Sequence, residues 1–158
     1  MNILVLCTGN SARSILLEAI LNTGGRGAVR AYSAGSTPTG LVHPQSLALL
    51  QEKGIGTSGA RSKSWDEFAG PGAPEMDLVI TVCAAAAGET CPVWPGAPLR
   101  AHWGVPDPAA ARPEDWDDAF RAAHATLERR AKALLGLPVK EMAPEQLRAE
   151  LARIGELA

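Results

Sequence analysis

One α/β domain, built on a four-stranded parallel sheet with helices on both faces, is the fold this chain predicts. Three observations lead there. Short apolar runs alternate with stretches of helical periodicity, the pattern of a parallel sheet covered on both sides. The 158 residues suffice for one domain with one sizeable core. The first apolar run passes through a loop of small residues into a helix, an order that makes an anion site.

Element by element, Ile3-Leu4-Val5-Leu6 reads as a buried strand. Residues Ser14 to Leu21 follow as helix, closed by Gly24-Gly25. Val29 to Ser33 is a second strand, ended by Ala34-Gly35. Pro44 to Lys53 is helical, with Pro44 in its first turn and Gly54 after its end. Met76 to Val82 is a third buried strand and runs straight into Cys83. Leu99 to Trp103 is the fourth. Pro113 to Leu135 carries Trp116, Phe120, Leu127 and Leu134 at helical spacing, and Ala143 to Leu157 forms a last helix docked at the surface. The Pro-Gly-rich pieces at 71–74 and 92–98 read as loops inside the domain.

Composition is ordinary for a globular protein, with 46% apolar and 20% charged residues. A net charge of −2 gives no reason to expect nucleic acid or an acidic membrane surface as partner. No apolar stretch is long enough to span a bilayer. Met1-Asn2-Ile3 lacks the basic start of a signal peptide, so a cytoplasmic location is expected. Three cysteines, an odd number, do not suggest a disulfide framework and point to free, catalytic or redox-active thiols. His43, His102 and His124 have no metal-ligand spacing with one another or with the cysteines, so neither a metal nor another cofactor is expected. Trp65, Trp94 and Trp116 read as core or loop anchors. His102 and Trp103 read as pocket wall or strand-end packing.

The loop Cys7-Thr8-Gly9-Asn10-Ser11-Ala12-Arg13-Ser14 carries the chemistry. Its backbone N–H groups and the following helix start favour an anion. Arg13 can grip two oxygens of a tetrahedral oxyanion with its planar fork. Cys7 stands at the mouth of this cradle, where the N–H groups, Arg13 and the Ser14 hydroxyl all favour a thiolate near neutral pH. The alternative for Cys7 is a small core residue at a strand end. The spacing fits neither the nucleotide phosphate loop nor the dinucleotide fingerprint.

The same eight residues resemble the phosphate loop of the low-molecular-weight tyrosine phosphatase superfamily. Within it, residues 81–109 (TVCAAAAGETCPVWPGAPLRAHWGVPDPA) resemble the thioredoxin-coupled arsenate reductases. The resemblance runs to the helix ending near Leu135. It implies a phosphatase-like arsenate reductase domain over residues 1–137; residues 138–158, outside the resemblance, read as a helical extension of the same domain. It also implies a reaction. Cys7 attacks arsenate, Cys83 attacks Cys7 to release arsenite, and Cys91 attacks Cys83. An external dithiol protein, thioredoxin or glutaredoxin with glutathione, then reduces the Cys83–Cys91 disulfide. Phosphate and sulfate are expected to compete for the loop. Asp107 matches the superfamily's general acid, and it also reads as a plain turn residue before Pro108.

Some members of the family hold a potassium ion behind the loop. Asn10, Glu18 and Ser33 match three of its ligands, and Lys63 stands where an aspartate would fall. The Lys63 ammonium either takes the cation position or is a solvated surface group. The relay also constrains residues 83 to 92. A helical span would separate Cys83 and Cys91 by about 12 Å along its axis, whereas a disulfide needs Cα atoms roughly 4.4 to 6.8 Å apart. This segment must therefore bend or unwind on oxidation.

Two other functions use parts of the same loop. A tyrosine or small-phosphoester phosphatase needs Cys7, Arg13 and Asp107 but not Cys83 and Cys91. Those enzymes commonly carry a second loop cysteine, where this chain has Ala12, and an aromatic residue beside the Asp-Pro, where it has Ala109 and Ala110. A non-enzymatic oxyanion sensor would explain the cradle but not three cysteines.

Overall fold

The computed structural model describes residues 1–88 and 94–158. Strands β1 (Asn2–Leu6), β2 (Arg30–Ala34), β3 (Leu78–Thr81) and β4 (Leu99–His102) form one sheet in the order β2-β1-β3-β4. All three pairings are parallel, with Leu6 in register with both Ala34 and Thr81. β1 and β3 are interior strands, and β1 needs apolar residues on both faces. Ile3 and Val5 enter one core cluster, while Leu4 and Leu6 enter the other.

The helices are α1 (Arg13–Gly25), α2 (Pro44–Glu52), α3 (Ala84–Gly88), α4 (Trp116–Leu135) and α5 (Pro144–Gly155). The two faces are covered unequally. The Ile3–Val5 side carries α1, α2, α4 and α5, whose Leu16, Leu50, Leu127 and Leu151 are almost wholly buried. The opposite side is closed by a short turn of 3-10 helix at Trp65–Phe68 and by Met76 and Trp94. Trp94 meets Trp65 edge-on at 6.1 Å, so both are packing anchors.

Each expected strand and helix is present, with ends shifted by a few residues. The first helix starts at Arg13 and includes Gly24 and Gly25, leaving through Arg26 in the left-handed region (φ 47°). The start of the long helix is tighter than expected, with a 3-10 turn at Pro113–Asp115 before α4 proper. The last helix is more than a surface element. Leu151 and Ile154 are fully buried and join the main core, because their spacing puts both on the face turned toward β4 and α4. Among the described residues, no helix is long and apolar enough to cross a membrane.

Candidate functional site

The loop after β1 is fixed from outside by its carbonyl groups. Thr37 N–H donates to Thr8 O (3.0 Å), Thr39 N–H to Gly9 O (3.0 Å) and His43 N–H to Ser11 O (3.0 Å). The Ser62 and Ser46 hydroxyls add bonds to Gly9 O (3.2 Å) and Ser11 O (3.1 Å). Carbonyls drawn outward turn the loop's N–H groups inward, which is the geometry of an anion nest. Asn10 makes the turn possible. It has φ of 46°, a region asparagine tolerates better than most residues, and is fully buried. Its amide spans the loop, donating to Ser14 Oγ (2.9 Å) and accepting from Lys63 N–H (2.9 Å). Gly35 lets β2's end pass against the loop, since a Cβ there would lie 2.4 Å from Thr8 O and 2.8 Å from Cys7 O.

Behind the loop, Lys63 is buried with 8% exposure. Its ammonium donates to Arg61 O (3.1 Å) and Ser33 Oγ (3.4 Å) and lies 4.0 Å from Glu18 Oε2. Ser33 Oγ donates in turn to Glu18 Oε2 (2.5 Å). Burial pushes the Glu18 carboxyl up, opposed by Lys63, and burial pulls Lys63 down, opposed by Glu18. Asn10, Glu18, Ser33 and Lys63 thus form one buried cluster, and the solvated-lysine alternative does not apply.

At the mouth, Cys7 and Cys83 are both buried, and Cys7 is hydrogen-bonded to Cys83. Cys83 Sγ also accepts from Thr8 N–H (3.4 Å) and Ala86 N–H (3.4 Å) and lies 3.6 Å from Thr8 Oγ1. The two sulfurs therefore shift in opposite directions. The hydrogen bond to Cys83, then burial, push the Cys7 thiol well up, against Arg13 and the Gly9 N–H. Cys83 is brought down to about 5, first by the Cys7 hydrogen bond and then, against burial, by the Thr8 and Ala86 donors. The two sulfurs titrate as a coupled pair. Cys83 gathers two backbone N–H donors at the junction of β3 and α3. Ser14 Oγ accepts from Asn10 Nδ2 and keeps its own hydrogen to donate.

Arg13 is held by a residue that the sequence did not single out. Its Nη1 donates to Val105 O (3.0 Å), and Nη2 lies 3.7 Å from Asp107 Oδ2. Its buried Nε has no hydrogen-bond partner among the described residues. Asp107 makes two contacts. Oδ1 caps the turn by accepting from Ala109 N–H (3.0 Å), while Oδ2 faces Arg13. His43 caps α2 through Nδ1, which accepts from Gln45 N–H (3.1 Å), and its ring packs edge-on to Trp116 at 4.6 Å. Trp103 is wholly buried at the end of β4, and His102 bonds through Nδ1 to Thr81 Oγ1 (2.8 Å). Cys91 and its neighbours from 89 to 93, within the segment expected to unwind, lie outside the described residues.

A parallel α/β sheet with an anion loop at the end of its first strand, a cysteine in that loop and an aspartate facing the loop arginine defines a class of oxyanion-handling cysteine proteins. The chain belongs to the low molecular weight phosphotyrosine protein phosphatase family, whose pattern it matches over residues 2–152. That match extends past Pro138, where the sequence resemblance was expected to stop. Among curated relatives, an arsenate reductase of Halalkalibacterium halodurans is 37% identical over 110 residues, covering 70% of this chain and 76% of the relative. A solved arsenate reductase in the phosphate binding state is 28% identical with a TM-score of 0.68, covering 85% of this chain and 95% of that one. The arsenate reductase structure from Archaeoglobus fulgidus is 29% identical with a TM-score of 0.67, covering 85% and 99%.

Proposed function

We propose that the chain reduces arsenate to arsenite by a three-cysteine relay. The presence of Cys83 against the loop that carries Cys7 carries this reading, because a phosphatase has no use for a second cysteine there. Similarity to the arsenate reductases named above supports it.

The steps follow from thiol chemistry. Arsenate enters the loop N–H groups, and the unpartnered Arg13 Nε gains an acceptor. The proton shared by the pair passes to Cys83, and the Cys7 thiolate attacks arsenic. An arsenic oxygen leaves as water, with Asp107 as proton donor. Cys83 gives up its proton, helped by the Thr8 and Ala86 donors, and attacks Cys7 Sγ. The sulfur–arsenic electron pair stays on arsenic, so arsenic(V) becomes arsenic(III) while two cysteines become a disulfide. Cys91 then attacks Cys83 and releases Cys7 as a thiolate. An external dithiol protein of the thioredoxin type reduces the Cys83–Cys91 bond. The Lys63 ammonium supplies the positive charge behind the loop among Asn10, Glu18 and Ser33.

Arsenate turnover with purified thioredoxin and its reductase, compared with glutathione and glutaredoxin, tests the reading. Mass spectrometry of Cys91→Ser after one turnover should trap a Cys7–Cys83 bond. Steady release of p-nitrophenol without arsenate-dependent oxidation of either reducing system would favour the phosphatase. Slow hydrolysis of aryl phosphates is expected in any case, since the loop is a general trap for tetrahedral oxyanions.

A further inference from the structure

Arg130 lies on the buried face of α4 and is only 5% exposed. A guanidinium so far from water is costly unless its donors are used. Its Nε donates to Leu157 O (3.0 Å), and Nη1 donates to Trp103 O (2.9 Å) and Gly104 O (3.2 Å). The last two carbonyls belong to the segment that carries Asp107. The next residue, Val105, is gripped on both sides, with its N–H on Val82 O (3.2 Å) and its carbonyl on Arg13 Nη1 (3.0 Å). The Trp103 indole N–H ties the same segment to Leu151 O of α5 (3.0 Å). At Gly155, α5 lies so close that a Cβ would stand 2.8 Å from His102 O and 2.9 Å from Trp103 Cδ1.

We infer that Arg130 is a positioning residue, which with Trp103 and α5 clamps residues 103–107 so that Asp107 and Arg13 face the oxyanion loop. The inference rests on the general-acid reading of Asp107. A lysine carries its donors on one nitrogen and cannot bridge the Leu157 and Trp103–Gly104 carbonyls in the same way.

The test compares Arg130→Met, Arg130→Lys and Trp103→Phe with Asp107→Asn, using phenyl phosphate and p-nitrophenyl phosphate. The poorer leaving group depends on the acid far more than the better one. Arg130→Met is expected to widen the ratio of the two kcat values in the same direction as Asp107→Asn, by roughly tenfold, the scale of a sub-ångström misplacement. Trp103→Phe should give a smaller change, and Arg130→Lys an intermediate one. Phosphate affinity, measured by calorimetry, should fall with the displacement of Arg13, and it decides the matter if hydrolysis is too slow to time. An unchanged ratio and affinity in Arg130→Met overturn the inference, as does an equal loss on both substrates with unchanged affinity. If Asp107→Asn itself leaves the ratio at its wild-type value, the acid assignment fails and the clamp with it, a result independent of Arg130. If Arg130→Met does not fold, Trp103→Phe takes its place, and an unchanged ratio and affinity there overturn the inference in the same way.

Discussion

The loop after β1 and the loop after β4 meet at Arg13, yet they are fixed by different kinds of contact. The first is turned by its own Asn10 and held at its carbonyls by short segments beside it in space. The second is held by helices. Residues 103–107 are held by Arg130 from α4, by Leu151 of α5 through Trp103, and by Arg13 itself. One loop presents Cys7 within a frame of neighbouring loops. The other is a strap that carries Asp107 and is held by distant helices. Damage to the first should therefore remove binding and chemistry together, while damage to the second should detune a reaction that still proceeds.

The largest effect falls on the first loop. Cys7→Ser should lower arsenate-dependent oxidation of a reducing system by about a thousandfold or more, since the attacking sulfur is gone. Residual turnover near the wild-type rate would mean that another cysteine starts the relay. Gly35→Ala comes next. Its Cβ would lie 2.4 Å from Thr8 O, a backbone atom that cannot swing aside. The loop must shift, and phosphate affinity by calorimetry should fall by about tenfold or more. Wild-type affinity in this variant would show that the first loop is softer than the contrast requires.

Gly155→Ala probes the second region in the matching way. The new methyl would meet His102 O at 2.8 Å, so α5 should be pushed from the end of β4, at a cost of about 1–3 kcal/mol in denaturant unfolding. Phosphate affinity should change less than in Gly35→Ala. Net stabilisation, as helix propensity alone would give, would contradict the close packing of α5.

The thiol pair sharpens the contrast through pH. Thiolate absorbance of the resting protein should rise as pH rises through about 5, because Cys83 is protonated below that point and charged above it. Cys7→Ser should move this step upward by removing the largest cause of the shift, and Cys83→Ser should let Cys7 titrate lower. A low step that survives unchanged in Cys83→Ser would return the resting charge to Cys7. The smallest expected effect is that of potassium. With the Lys63 ammonium beside Glu18 and Ser33, exchanging sodium for potassium should leave activity and Tm essentially unchanged. A marked rise in either would show that a cation still binds behind the loop.

Much of the first region was legible because its determinants are close in sequence. Cys7, Gly9, Asn10, Arg13 and Ser14 fall within eight residues, and a strand–loop–helix order turns that spacing into a site. The alternation of apolar runs gave the parallel sheet for a similar reason, since periods of 2 and 3.6 residues are local properties. Arg130 left a fainter trace. It falls three residues after Leu127 and four before Leu134, on the apolar stripe of α4, where a charge signals a buried partner. What that partner was, the spacing could not say.

By itself the sequence determined the parallel α/β fold and the anion loop with its cysteine and arginine. Tertiary structure decided which donors reach each sulfur and what Asp107 faces. The donors around each sulfur come from distant segments, and Thr8 meets Cys83 only across 75 residues of chain. Asp107 faces Arg13 only because α4 and α5, reached much later in the chain, hold the end of β4 in place. Hydrogen-bond competition between segments distant in sequence has no period and no spacing, so it becomes readable only once the chain is folded.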